Sequence, residues 1–300
     1  MISIGAVASA WTAWFHASEP PYTIALFRIL FGLLLVANAA LFARDASLWI
    51  GPSGLLSHDY YQRVYGRSRF TVLAYLPPTE RWLHAVIALH LCSAVLLALG
   101  LFTRTSATLA FVTLLSIQQR NPVLVYGADD VLRLMCLLLI FSRAGEALSI
   151  DEWLARRAGA VVVPGTAWCT RLMQLQVSIC YLSAFLHKFS GESWINGTAA
   201  YYAVQVADFR RRPLPRFART LFWARVGTYS TVATEGALGF GLWISELRYP
   251  LLLLGVAMHL VMDWFMNLQL FSVAMILCLL LFVDPADVAR LLQWMGVLSP

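Results

Sequence analysis

Lys188 is the single lysine among 22 Lys and Arg residues, and it stands in the run His187-Lys188-Phe189-Ser190-Gly191-Glu192-Ser193-Trp194 at the end of an apolar segment. Arginine keeps its charge almost everywhere, whereas a lysine at an apolar boundary can give up its proton and serve as a general base. Two readings stand: a base, or a side chain that snorkels to the headgroups in a chain whose codons favour arginine. Gln174, Tyr181 and Lys188 are spaced by seven, so they share one helix face and turn it toward a polar interior, either as a binding surface or as glue between helices.

More ionisable residues fall inside apolar runs, where each is costly and is read either as functional or as part of a pair within the bundle. Asp129 and Arg133 are four apart, as are His259 and Asp263, with Asn267 four further along, so each spacing predicts a same-face pair. Glu235 has no cation three or four residues away, and its partner must come from another helix. The positions expected to shape a pocket or bind substrate around Lys188 are therefore Gln174, Tyr181, His187, Trp194, Asp129, Arg133, Glu235, His259 and Asp263.

The surrounding composition is that of a membrane protein. The chain is 60% hydrophobic and 13% charged with mean hydropathy +0.69, where soluble domains carry about 25% charged residues. The 300 residues accommodate eight or so spans in a single membrane domain covering 1–300. The net charge of +6 resides on loop arginines, as expected beside anionic lipid, and no basic helix interleaved with aromatics points to nucleic acid. Five scattered cysteines without a CxxC pair read as small core residues rather than a disulfide frame or zinc site. No metal is expected. GxSxG elbows, Gly-rich phosphate loops and two-His metal motifs are absent from the sequence.

The elements that must position these residues are helices. Met1 to Phe15 lacks a charged n-region and a cleavage site, and Trp11, Trp14 and Phe15 suggest a helix lying at the interface. Spans are expected at about 22–42, 82–102, 105–119, 127–142, 172–186 and 220–244. The apolar stretch Leu251 to Val283 would be roughly 50 Å long as one helix, against a core of about 30 Å, so it must break near Asp263, Asn267 and Gln269 into two short spans. The expected fold is all-α: a polytopic helical membrane protein with about eight transmembrane helices plus interfacial helices, where the long connection 43–81 is either functional or carries short interfacial helices, 143–170 lies outside the membrane and 191–219 is irregular or interfacial. Counting arginines favours an extracytoplasmic N-terminus, although long loops weaken that rule.

The run Gln174-Leu175-Gln176 to His187-Lys188, followed by Gly191, Trp194 and Asn196-Gly197-Thr198-Ala199, resembles the HTTM family, membrane proteins related to vitamin K-dependent gamma-carboxylase. Phe27-Arg28-Ile29-Leu30-Phe31-Gly32, Leu99-Gly100-Leu101-Phe102-Thr103-Arg104, Tyr126-Gly127-Ala128-Asp129-Asp130 with Arg133, and Ser149-Ile150-Asp151 extend the likeness over most of the chain. The resemblance implies a helical membrane domain in which Lys188 matches the lysine that deprotonates a reduced quinone. It also implies that Lys188 faces away from the cytoplasm of a bacterial cell. The carboxylase's histidine would fall at Pro122, and its further non-membrane region has no counterpart in this sequence, so protein carboxylation is not expected.

The leading expectation is an enzyme acting on a lipid-soluble or quinone-like substrate with Lys188 as general base. The other is a non-enzymatic assembly, maturation or immunity component, like sporulation-delaying membrane proteins of related architecture, with Lys188 at an interface. Expected partners are the lipid bilayer and either a lipid-soluble small molecule or a soluble partner protein. A transporter would need repeated halves around a midplane site, and no internal repeat is evident.

Overall fold

In the computed structural model, residues 4–66, 68–160 and 165–298 are described. Among the described residues the regular structure is helical apart from two two-residue strands, Ser18–Glu19 and Gly165–Thr166, which pair antiparallel. It divides into two compact units, Met1–Thr170 with Pro285–Pro300, and Arg171–Asp284.

The first unit opens with α1 (Ile4–Phe15) and α2 (Tyr22–Ala43). Short helices α3 (Ala46–Ile50) and α4 (His58–Val64) occupy the following connection, and α5 (Glu80–Leu99), α6 (Thr103–Arg120) and α7 (Gly127–Phe141) form its body. Successive members pack as neighbours, α2 on α5, α5 on α6 and α6 on α7. Gly32 makes the first crossing possible: a Cβ there would lie 2.7 Å from the Cα of Ala98. Among the described residues, α2 and α5 are the helices both long and apolar enough to cross a membrane unaided, and a bent pair of shorter helices near the C-terminus raises the number to three.

The turn between α5 and α6 shows why several family-like motifs are there. Gly100 ends α5 with φ +69°, a left-handed cap that lets Leu101 N–H reach back to the Leu96 carbonyl. A Cβ at Gly100 would fall 2.2 Å from Arg28 Nη1 and 2.5 Å from Ser149 Cβ. Arg28, fully buried, donates to the carbonyls of Ala144 (3.0 Å) and Leu148 (2.5 Å). From α8 (Ile150–Arg157), the Asp151 carboxylate accepts the backbone N–H groups of Phe102 and Thr103, each at 2.8 Å, and the Thr103 hydroxyl at 2.7 Å. A carboxylate thus satisfies the orphan donors at the start of α6 and complements its dipole. The Phe-Arg, Leu-Gly-Leu-Phe-Thr and Ser-Ile-Asp segments therefore converge on one structural lock.

Helix α9 (Trp168–Lys188) begins in the first unit and continues in the second. The second unit then comprises the short α10 (Glu192–Ile195) and α11 (Ala199–Ala203), α12 (Leu221–Gly241), α13 (Ser245–Phe265) and α14 (Phe271–Leu280). Amphipathic α15 (Pro285–Trp294) returns to the first unit, where it packs on α2. The long apolar stretch breaks between Phe265 and Phe271, around Asn267 and Gln269, and Gln269 takes a left-handed φ of +51°. Asp263 stays within α13 instead of in the break, and that helix starts earlier than its apolar run, at Ser245, carrying Pro250 in its first turns.

Candidate functional site

Lys188 is in the last turn of α9, where a cation is favoured by the helix carbonyls. Its Nζ lies 2.5 Å from Oε2 of Glu235 on α12, and the two side chains are 14% and 10% exposed. The same ammonium is 4.7 Å from the centroid of the Trp194 ring and 3.4 Å from the carbonyl of Ala184. Carboxylate, indole face and carbonyl together stabilise a cation that has left bulk water. Gly191 lets the chain fold back over the lysine, since a Cβ there would lie 2.9 Å from Trp194 Cδ1.

Small residues bring Glu235 to this point. Gly236 and Gly239 face α9, and Cβ atoms there would lie 2.9 Å from Phe185 and 2.5 Å from Leu182. The signal was present in the sequence as Glu235-Gly236-Ala237-Leu238-Gly239, in the small-residue pattern of close helix crossings.

Further along the same face of α9, Tyr181 and His259 of α13 are both buried, with the tyrosine oxygen 2.9 Å from His259 Nε2. His259 Nδ1 has no hydrogen-bond partner, and its ring packs edge-on against Phe271. Gln174 donates to the Leu281 carbonyl at 2.7 Å and accepts from Arg171 at 3.0 Å. The three residues spaced by seven thus meet three different partners. Ser178 and Trp243, not singled out in the sequence, add a 2.9 Å hydrogen bond from the indole N–H to the serine oxygen.

Two expected same-helix pairings are not formed. His259 does not pair with Asp263; the aspartate lies 2.7 Å from Arg211 Nη1, and Nη2 of the same arginine donates to Asn267 Oδ1 at 3.3 Å. Arg133 does not pair with Asp129 but with Asp130, one residue further on, while its Nη1 donates to Gln118 Oε1 at 3.0 Å. Asp129 accepts the Tyr126 backbone N–H at 3.1 Å and the Gln118 amide at 3.3 Å, so it caps α7. Both belong to the first unit, whereas Lys188 belongs to the second. His187 is exposed and its Nδ1 contacts the carbonyl of Ser183 in its own helix at 2.8 Å, so it is not among the groups around the Lys188 ammonium. Among the described residues, no group of three or more His, Cys, Asp or Glu side chains is placed to hold a metal.

A model of the HTTM domain matches residues 16–286. The chain belongs to the HTTM family. Its apolar helices and this membership fit an integral membrane protein, and the relation to the gamma-carboxylase is consistent with the domain. Neither the curated proteins nor the solved structures include a match to this HTTM chain. At position 122 it carries proline, which opens a short 3-10 turn after Asn121, and Asn121 itself donates to the Trp49 carbonyl at 3.0 Å.

Proposed function

We propose that this HTTM protein is a multi-pass membrane enzyme of about eight spans, acting on a lipid-soluble, quinone-like substrate with Lys188 as general base. The observation that carries this reading is the close contact of Lys188 Nζ with Glu235 Oε2 beneath the Trp194 ring. An ammonium and a carboxylate in hydrogen-bond contact can exchange a proton. With the proton on Glu235, the amine is free to take one from an acidic hydroxyl of the substrate. Glu235 then positions the lysine and holds the displaced proton.

A reduced quinone fits the groups around the lysine. Exposed Leu186 and Phe189 flank Lys188 in sequence and offer an apolar approach, and the indole of Trp194 offers a face for an aromatic ring. Bound there, the quinol would supply the redox chemistry; the chain's own residues would orient it and remove its proton. We read both units as one membrane domain in a bacterial cell membrane, with the Lys188 end on the non-cytoplasmic side.

A second reading rests on the same contact. Glu235, the Ala184 carbonyl and the Trp194 face already engage the ammonium, which suits a strut in a non-enzymatic assembly, maturation or immunity component with a soluble partner protein.

Mass spectrometry of lipids that copurify with the protein in mild detergent tests the proposal. A quinone or other ring-bearing lipid should be enriched over the host membrane extract, and Lys188→Met with Glu235→Met together should abolish the enrichment in a protein that still inserts and elutes as a single species. Bulk phospholipid alone in both proteins would remove the basis for an enzyme and favour the strut.

A further inference from the structure

Between Val206 and Arg225 the sequence carries six arginines against a single acidic residue, Asp208. Backbone hydrogen bonds tie this segment to the end of α13: the N–H groups of Arg211 and Arg212 donate to the Phe265 carbonyl at 2.9 and 3.3 Å, and that of Asn267 donates to the Phe209 carbonyl at 2.6 Å. Asp263 neutralises Arg211. Arg210, Arg212, Arg216 and Arg219 are exposed, and among the described residues none of the four has a carboxylate within ion-pair distance. Arginines of the first unit such as Arg143, Arg156 and Arg290 differ, each pairing with a carboxylate three or four residues away. The second unit therefore concentrates uncompensated positive charge at one end.

The same end is aromatic. The Arg212 guanidinium carbon lies 3.5 Å from the centroid of the exposed Trp264 ring, a stack that holds the planar fork while its N–H edge stays available for a phosphate. Phe217, between Arg216 and Arg219, is exposed and meets the Trp223 ring edge-on at 5.8 Å. Leu221, Phe222 and Trp223, three successive residues in the first turn of α12, are all exposed. Successive helix residues point about 100° apart, so one flat protein face cannot cover all three, whereas the boundary of a bilayer surrounds the turn. Basic side chains interleaved with exposed aromatic and aliphatic ones suit a surface that is anionic outside and apolar beneath.

We infer that this end of the second unit is a binding surface for anionic phospholipid, with Arg210, Arg212, Arg216 and Arg219 on the headgroup phosphates and Phe217, Phe222, Trp223 and Trp264 at the boundary between headgroups and acyl chains. An acidic soluble protein would satisfy the arginines but leave the first turn of α12 in water. The inference rests on the membrane placement proposed above and not on the chemistry of Lys188.

The test offers the purified full-length protein, in mild detergent, an equimolar mixture of phosphatidylglycerol and phosphatidylcholine with the same acyl chains, and counts the lipids retained by native mass spectrometry. Phosphatidylglycerol should be retained over phosphatidylcholine by about tenfold, and the preference should shrink when the mixture is equilibrated at higher salt. Arg210→Gln, Arg212→Gln, Arg216→Gln and Arg219→Gln combined should abolish it. Arg44→Gln, Arg63→Gln, Arg81→Gln and Arg104→Gln combined remove the same charge from exposed positions of the first unit and should leave it in place. The inference is overturned by a lack of preference in the unmodified protein, by its survival in the first variant, or by equal loss in both. Should the first variant fail to fold, a photoactivatable phosphatidylglycerol decides on the unmodified protein: label in residues 206–225 and 263–267 supports the inference, and label confined to other segments overturns it. Absence of a quinone among copurifying lipids would bear on the Lys188 reading alone.

Discussion

Lys188 on α9 and Glu235 on α12 are 47 residues apart in sequence and 2.5 Å apart in space. Each is the group that makes the other tolerable where it sits: a lone buried carboxylate or a lone buried ammonium would be costly, and the pair with the Trp194 ring is not. The contact bears directly on both functional readings, because a base needs a partner that can hold its proton and a strut needs a partner that will not let go.

Removing one member of this pair should destabilise the protein by about 3 kcal/mol, because the other charge is left buried and alone. Lys188→Met and Glu235→Gln should each lower the midpoint of chemical unfolding in detergent, while the double substitution to methionine should recover most of the loss. A double variant no more stable than the singles would show that the two residues do not act as a pair.

Tyr181→Phe keeps the ring and removes the hydroxyl that meets His259 Nε2, leaving an imidazole whose other nitrogen already lacks a partner. The expected cost is about 1–3 kcal/mol. The double variant Tyr181→Phe with His259→Phe should cost less than the sum of the two single effects, since both changes break the same bond.

Gly32→Ala should be among the more damaging glycine substitutions in the chain. Its Cβ would meet backbone atoms of Ala98, which cannot move aside, so a cost of about 1–3 kcal/mol is expected. At Gly227 the nearest atom is 3.4 Å away and belongs to the Ala200 side chain, and alanine there should be nearly neutral or slightly stabilising. Melting temperatures of the two variants side by side check the contrast.

Asp151→Ala removes three hydrogen bonds from the start of α6 and should cost about 1–2 kcal/mol. Hydrogen exchange supplies a local readout: the amides of Phe102 and Thr103 should exchange much faster in the variant, while those in the middle of α6 keep their protection. Unchanged exchange at these two amides would mean that another group caps the helix.

Much of the helical framework was legible in the sequence, for identifiable reasons. The apolar runs ending at Gly100, Asn121-Pro122 and the Asn267 to Gln269 region end as helices there; glycine adopts the left-handed cap at the first, and at the second the residue before a proline is pushed out of the helical region. The stripe of Gln174, Tyr181 and Lys188 was legible for a similar reason, since the helical repeat alone places residues seven apart on one face. The number of crossings was less legible. Among the described residues, length and composition mark two helices, or three, as able to cross unaided, since helices such as α7 are short and others such as α6 carry polar residues that neighbours shield.

What the sequence determined by itself was the set of polar residues that need partners, because solvation cost depends on residue type and surroundings and not on topology. Glu235 required a cation from another helix on that ground alone. Only tertiary structure decided who the partners are. Lys188 rather than Arg225 or Arg248 meets Glu235, Arg211 rather than His259 meets Asp263, and Gln118 stands between Asp129 and Arg133. The reason is geometric. A helical repeat fixes which residues share a face, but the rotation and depth of the facing helix are set by where glycines such as Gly236 and Gly239 let two backbones approach, and by side-chain volumes spread across the whole packed unit.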